Sequence, residues 1–259
     1  MEVITRPDAG SAVALVARLI EARLRARPDL VLGLATGRTM EQVYARLVAS
    51  GVSLARARTF NLDEYVGLPP DDPNSYRHYM QRHLFDHVDV DPANTHLPDG
   101  AAPDLKDAAR RYERLIAEAG GIDLQLLGIG EAGHIGFNEP LSALMSRTRD
   151  KTLTPTTRAQ NAPMFGDDPE RVPSRALTMG VGTILEAREL ILLATGPSKA
   201  AIVARAVEGP ITAMVSASAI QIHSNCKVIV DEDAAASLDG RAYYDFAFEN
   251  EPDWAEYRD

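Results

Sequence analysis

Three residues of this sequence carry groups that can move protons on a small substrate: Asp63, His134 and Glu139. His134 lies in a glycine-rich segment, where glycines let the backbone approach a ligand closely. Histidine exchanges protons near neutral pH, and Glu139 can accept a hydrogen bond from one ring nitrogen and leave the other nitrogen free. Asp63, which precedes Glu64 after a short apolar run, can serve as a general base. The alternative is that both adjacent acids cap the turn that follows them.

Two strand–turn–helix junctions offer groups that bind anions. The first contains Thr36, Gly37, Arg38 and Thr39, and the second repeats the Ala-Thr-Gly pattern before Lys199. Exposed N–H groups at a helix start attract anions, and the helix dipole adds to this attraction. The same dipole opposes a lysine in the first turn, so the position of Lys199 makes sense if it meets a phosphate. Ordinary capped turns are the alternative for both junctions.

Short apolar runs alternate with amphipathic helical patterns along the chain. Short segments bounded by turn residues predict strands at residues 2–5, 30–35, 59–62, 122–129, 176–179, 190–194 and 227–230. The run at 30–35 is continuously apolar, which predicts a buried strand. Strands separated by helices indicate parallel pairing with right-handed crossovers, and therefore an α/β fold. Ligands bind beyond the carboxyl ends of such strands, so we expect the four segments described above to share one cleft.

The composition limits the partners of the chain. Its 259 residues carry a net charge of −10 and no Lys/Arg-rich run, which makes nucleic acid and acidic membranes poor partners. The single cysteine, Cys226, permits neither an internal disulfide nor a cysteine-based zinc site. The chain start does not resemble a signal peptide, and no apolar run approaches the ~20 residues that cross a bilayer. We therefore expect a cytoplasmic protein that binds a small molecule.

Several segments resemble the glucosamine-6-phosphate deaminases. The resemblance is carried by Phe-Asn-Leu-Asp-Glu-Tyr-Val-Gly-Leu at residues 60–68 and by Gly-His-Ile-Gly-Phe-Asn-Glu-Pro at residues 133–140. It continues through residues 146–154, 176–183 and 198–199 and spans nearly the whole chain. It implies one domain over residues 1–259 with a three-layer, Rossmann-like parallel sheet and helices on both faces, as in ribose-5-phosphate isomerase and 6-phosphogluconolactonase.

The resemblance also implies a reaction and the residues that perform it. The reaction is glucosamine 6-phosphate plus water to fructose 6-phosphate plus ammonia, with no metal and no cofactor. Asp63 matches the base that takes the C2 proton, His134 matches the acid/base that opens the sugar ring, and Glu139 matches its partner. Thr36, Gly37, Arg38 and Thr39, together with Lys199, fall at phosphate-binding positions.

Two positions depart from the family pattern. Ala132 stands where relatives usually carry Asp or Asn, and Pro163 stands where they usually carry a phosphate-binding arginine. Loss of a bidentate cation weakens phosphate binding, and Arg38, Arg158 or Arg171 are candidates to replace it. The alternatives are another substrate, such as galactosamine 6-phosphate or an unphosphorylated amino sugar, a lactonase-like hydrolase, and a non-catalytic sugar-phosphate sensor.

Relatives in the family occur as monomers or as hexamers with an allosteric site. Ser142, Arg149 and Lys151 match parts of that site, which makes a homo-oligomer and regulation by an acetylated amino sugar phosphate further hypotheses. The segment after the last predicted strand is acidic and rich in aromatic residues. We expect this tail to dock on the domain or on a neighbouring subunit.

Overall fold

The fold is built on one seven-stranded sheet. A computed structural model describes residues 1–258 of the chain, so Asp259, the last residue of the predicted domain, lies outside it. Seven strands in the described residues pair in parallel. In spatial order they are β1 (Glu2–Arg6), β10 (Cys226–Asp231), β9 (Glu189–Ala194), β6 (Leu124–Leu127), β2 (Val31–Leu34), β3 (Arg58–Asn61) and β5 (Thr95–His96).

Helices cover both faces of this sheet. Strands β2, β6, β9 and β10 are buried along their whole length, which requires a packed layer on each side. The α-helices of the described residues are α1 (Ala9–Ala26), α2 (Arg38–Ser50), α3 (Tyr76–His83), α4 (Leu105–Glu118), α5 (Pro155–Asn161), α6 (Val181–Leu185), α7 (Ala200–Val207), α8 (Glu232–Ala235) and α9 (Arg241–Asn250). The three-layer α/β architecture expected from the sequence is therefore confirmed.

A second, antiparallel sheet corrects part of the sequence prediction. Its strands are β4 (Asp63–Tyr65), β8 (Arg175–Thr178) and β7 (Arg149–Thr152), in that order. The predicted strand at residues 176–179 thus exists, but it does not join the parallel sheet. Only Leu62 separates β3 from β4, so the chain enters the small sheet without the crossover helix that parallel pairing requires.

The second Ala-Thr-Gly junction also differs from the prediction. The sequence pattern places Lys199 in the first turn of a helix, whereas a 3₁₀ turn, Pro197–Lys199, precedes α7. Gly196 has a φ of 88°, a backbone angle that glycine adopts without steric cost. Lys199 therefore lies in a tighter turn than an α-helix would provide.

The aromatic tail packs against its own domain. Trp254 is buried and donates a hydrogen bond from its indole nitrogen to Glu2 of β1 over 2.6 Å. Phe248 lies beside Trp254, with 5.5 Å between ring centroids, and both belong to the main core cluster. Of the two expectations for the tail, docking on the same domain is confirmed.

Four adjacent strands in the middle of the main sheet lead into the four predicted site segments. Strands β9, β6, β2 and β3 are neighbours, and all run in the same direction. Their carboxyl ends open on residues 195–199, 128–134, 36–39 and 63. The chain order reverses between β6 and β2, which is where open α/β sheets form ligand-binding crevices.

Candidate active site

A cleft of about 360 Å³ lies at the carboxyl ends of these strands. Asp63 and His134 both line it, so the two predicted proton-transfer residues face one space. The predicted anion-binding residues line the same cleft: Thr36, Gly37, Arg38, Thr39 and Lys199. Glu139 is not part of the lining and lies behind His134.

The adjacent acids Asp63 and Glu64 have different roles. The Glu64 carboxylate accepts hydrogen bonds from the backbone N–H groups of Tyr65, Tyr76 and Arg77, at 2.8, 2.9 and 2.9 Å. Two of these groups belong to the first turn of α3, whose leading N–H groups lack partners within the helix. The alternative that the acids cap a following element is therefore correct for Glu64, and Asp63 alone faces the cleft.

Asp63 is buried and poised as a base near neutral pH. Burial raises the pKa of its carboxyl group to about 8, with a further increase from the charge of Glu64. The backbone N–H of Phe137 acts in the opposite direction and lowers this pKa. A carboxylate with a pKa near the working pH is a stronger base than an ordinary aspartate.

The loop around His134 depends on its glycines. A Cβ atom at Gly130 would lie 2.2 Å from Nε2 of the His134 ring, so any side chain there would displace the imidazole. Gly136 has a φ of 54°, and a Cβ there would lie 3.2 Å from the Asp63 carboxylate. These two glycines let the loop pass beside both proton-transfer groups.

Glu139 joins the histidine to helix α5. Its Oε2 atom lies 3.5 Å from Nδ1 of His134, and its Oε1 atom accepts from the backbone N–H of Thr154 over 2.9 Å. The Thr154 hydroxyl contacts the same oxygen at 3.3 Å and also caps α5 by accepting from Thr157 N–H. Burial opposes ionisation of Glu139, but its contacts with His134, Thr157 and Thr154 outweigh burial and lower its pKa.

The other end of the cleft is suited to an anion. Gly37, with a φ of 122°, precedes the first turn of α2 and has no side-chain cap hydrogen bond. Tyr79 donates a hydrogen bond to the Gly37 carbonyl over 2.8 Å and holds this turn. The Lys199 Nζ atom donates to the carbonyl of Ile129 over 2.9 Å, which directs it along the cleft. Burial lowers the pKa of Lys199, Glu131 raises it and Arg38 lowers it, so the charges of Glu131 and Arg38 both act on Lys199.

The two Ala-Thr-Gly turns are not equivalent. The Gly196 N–H is occupied because both carboxylate oxygens of Asp231 accept from it, at 3.0 and 2.9 Å. The second turn therefore contributes the side chains of Thr195 and Lys199 to the cleft rather than a free glycine amide. This difference was not visible in the repeated sequence pattern, because Asp231 lies 35 residues further along the chain.

Several lining residues were not singled out in the sequence. Glu131 lines the cleft as an exposed carboxylate. Gln160, Asn161 and Met164, from the end of α5 and the turn after it, form one wall. Pro163 belongs to this wall, which therefore carries no cation. A threonine followed by proline at residues 154–155 is a helix-start signal that predicts α5.

The residues matched to an effector site lie close behind the cleft. Arg149 and Lys151 lie two residues apart on β7 and therefore on the same face of that strand. The Arg149 guanidinium donates to the Asn138 side chain over 2.7 Å. Ser142 is buried, and its hydroxyl makes no hydrogen bond with any residue from 1 to 258. Its backbone N–H donates to the carbonyl of Glu139 over 3.0 Å, which connects this region to the His134 loop.

Two kinds of feature are absent from residues 1–258. No group of three or more His, Cys, Asp or Glu side chains there is arranged to hold a metal ion. None of the helices in this part of the chain combines the length and apolar character needed to span a membrane.

Comparisons with known proteins agree with this arrangement. Residues 8–229 match the family described as glucosamine-6-phosphate isomerases/6-phosphogluconolactonase. A glucosamine-6-phosphate deaminase of Rhodopirellula baltica is 54% identical over 246 residues, which are 93% of this chain and 98% of that protein. One of Streptomyces coelicolor is 48% identical over 258 residues, covering 98% and 99% of the two chains.

Solved structures agree with the fold. A monomeric glucosamine-6-phosphate deaminase superposes with a TM-score of 0.89 at 42% identity, covering 92% of this chain and all of that one. A 6-phosphogluconolactonase of Trypanosoma brucei, at 21% identity and a TM-score of 0.73, shares the fold over 92% of this chain and 98% of its own. The chain belongs to the glucosamine-6-phosphate isomerase and 6-phosphogluconolactonase family and, within it, to the glucosamine-6-phosphate deaminases.

Proposed function

We propose that the protein converts glucosamine 6-phosphate and water to fructose 6-phosphate and ammonia. The observation that carries this proposal is that Asp63 and His134 line the same cleft as Lys199 and the Gly37 turn. A site that transforms a sugar phosphate needs proton-transfer groups at one end and anion-binding groups at the other, and this cleft has both. The family membership of the chain and the names of its relatives support the same reaction.

Ring opening is the first step. The closed sugar hides its aldehyde, so a proton leaves O1, the C1–ring oxygen bond breaks, and the ring oxygen receives a proton. His134 takes the first proton and supplies the second, since an imidazole can act in both directions. Glu139 is fixed through Oε1 by Thr154, and its Oε2 atom lies 3.5 Å from Nδ1 of His134, where it can orient the ring and leave Nε2 for the transfer.

Isomerisation and deamination follow. The aldehyde acidifies the C2 proton, and the Asp63 carboxylate removes it to give an enolamine. The proton returns to C1, O1 keeps a proton as a hydroxyl, and the amino group gives up one proton as the C2–N double bond forms, which leaves a ketimine at C2. Water adds to C2, the C–N bond breaks, and ammonia departs with fructose 6-phosphate as the other product. The steps balance without an oxidant or a metal.

Phosphate binding is assigned to Thr36, Gly37, Thr39 and Lys199, with Arg38 as the second cation. Arg38 lines the cleft and acts electrostatically on Lys199, so both charges can face one phosphate. Arg38 thereby supplies the positive charge that Pro163 lacks. Release of ammonia makes the reaction a hydrolysis of a C–N bond in amino sugar breakdown, for which we propose the cytoplasm as the setting.

An ammonia-release assay tests the proposal. Glucosamine 6-phosphate, galactosamine 6-phosphate and free glucosamine are compared at equal concentration, with fructose 6-phosphate measured in a coupled assay. We expect turnover of glucosamine 6-phosphate with equal amounts of the two products. Absence of ammonia with all three sugars, together with hydrolysis of a sugar-phosphate lactone, would instead support a lactonase.

We also propose that Ser142, Arg149 and Lys151 form part of an effector site. Arg149 reaches Asn138, and Ser142 is bonded through its backbone to Glu139, so both are connected to the His134 loop. N-Acetylglucosamine 6-phosphate should convert a sigmoidal rate curve into a hyperbolic one. A rate curve that does not change when this compound is added would contradict the proposed effector site. Size-exclusion chromatography of the same sample shows whether the protein is a homo-oligomer.

A further inference from the structure

The wall of the cleft formed by α5 contains a polar group without a partner. Gln160 lines the cleft near the end of α5, and its Nε2 atom is shielded from water and makes no hydrogen bond within residues 1–258. A buried N–H group without an acceptor is unfavourable, because it has lost water and gained nothing in return. Such groups are rare in folded proteins and call for an explanation.

The position of Gln160 along α5 indicates what it can reach. The first turn of this helix is held at Glu139 through Thr154, beside the ring of His134. Six residues further along a helix is a distance of about 9 Å. Gln160 therefore lies nearly two helical turns from the residue that holds Glu139, on a wall shared with Asn161, Pro163 and Met164. Its carboxamide can turn about its last torsions, which have broad minima.

We propose that Gln160 is a substrate-binding residue whose carboxamide donates a hydrogen bond to an oxygen atom of the bound sugar phosphate. This inference rests on the proposed function. The oxygen belongs to the phosphate or to a sugar hydroxyl, and both present the same acceptor chemistry. Gln160 thus supplies a neutral donor from a wall whose described lining residues, Gln160, Asn161, Pro163 and Met164, include no cation, and its Nε2 atom gains an acceptor when the substrate binds.

The test uses Gln160→Met, which keeps the length of the side chain and removes the donor. Loss of one neutral hydrogen bond should raise KM for glucosamine 6-phosphate about 2- to 10-fold with kcat nearly unchanged. The melting temperature of the ligand-free variant should stay the same or rise, because a buried N–H donor without an acceptor is removed. Gln42→Leu, at an exposed glutamine of α2 outside the cleft lining, is the matched control.

A second comparison identifies the oxygen. If Gln160→Met raises KM for glucosamine 6-phosphate and the inhibition constant of inorganic phosphate together, the acceptor is the phosphate. If the inhibition constant of phosphate stays constant while KM rises, the acceptor is a hydroxyl. Unchanged KM and unchanged phosphate inhibition would overturn the inference, as would a lower melting temperature with an intact KM. A wild-type protein that releases no ammonia would contradict the proposed function instead, and phosphate binding measured by calorimetry would then still test Gln160.

Discussion

The carboxyl groups of Asp63 and Glu64 follow each other in β4, yet one faces the cleft and the other holds the first turn of α3. This arrangement places a negative charge beside the proposed base while three backbone donors keep that charge in place. Burial raises the pKa of Asp63 most, and Glu64 raises it further. The helix cap therefore contributes to the strength of the base.

Glu64→Gln tests this coupling. Removal of the neighbouring negative charge should lower the pKa of Asp63, so the rise of kcat/KM with pH should move to lower pH. The variant should also lose stability, since an amide replaces a carboxylate that accepts three N–H groups. The pH profile and the melting temperature are the measurements. Glu118→Gln, at an exposed glutamate of α4, is the control, and an unmoved profile in Glu64→Gln would contradict the coupling.

Asp63→Asn should separate activity from stability. Ammonia release should fall about 10²- to 10⁴-fold, since the base is removed. The folded-state pKa of about 8 lies above the ordinary value of 3.8, so the buried carboxylate costs increasing stability as pH rises between these values. The variant should match the wild type near pH 4, and its advantage in stability should grow up to pH 8. Urea unfolding at several pH values measures this, and an equal stability difference at all pH values would refute it.

Thr154→Val should weaken the support of Glu139. The variant loses the hydroxyl that caps α5 and contacts Glu139, which should cost about 1 kcal/mol of unfolding free energy. It should also lower kcat, because Glu139, the partner of His134, keeps the backbone N–H of residue 154 but loses the hydroxyl contact. Thr154→Ser retains the hydroxyl and should restore both properties. Equal kcat values in the Val and Ser variants would show that the hydroxyl does not act through Glu139.

Lys199→Ala and Arg38→Ala should mainly raise KM. Both cations are assigned to a phosphate that does not react, so their contribution is shared by the ground state and the transition state. The salt dependence of KM should be smaller in each variant. An Arg38→Ala variant with the wild-type KM would show that Arg38 does not replace the cation missing at Pro163.

Much of the site could be predicted from the sequence, because short-range patterns encode it. Strand ends followed by Thr-Gly turns, and glycines around His134, depend on neighbouring residues only. The relationships that were missed join distant parts of the chain. Glu64 caps a helix that begins 12 residues later, and Asp231 occupies the Gly196 amide from another strand.

The antiparallel sheet was missed for a different physical reason. The apolar pattern of residues 176–179 fits a buried strand in either kind of sheet, and periodicity does not reveal which strand it pairs with. The pairing of β8 with β4 and β7 depends on tertiary contacts. Helix α5 has seven residues, too few for a clear apolar period, so the wall that contains Gln160 had no signal beyond its Thr-Pro start.

The single residue between β3 and β4 leaves no flexible loop between the two sheets. Leu62 is buried, and its carbonyl accepts from Met179 N–H over 2.6 Å, so the junction is tied on both sides. The proposed base therefore cannot swing independently of either sheet. A protein engineer who wishes to widen the cleft for bulkier sugars should leave this junction, Thr154 and Gln160 intact and vary Met164 in the same wall.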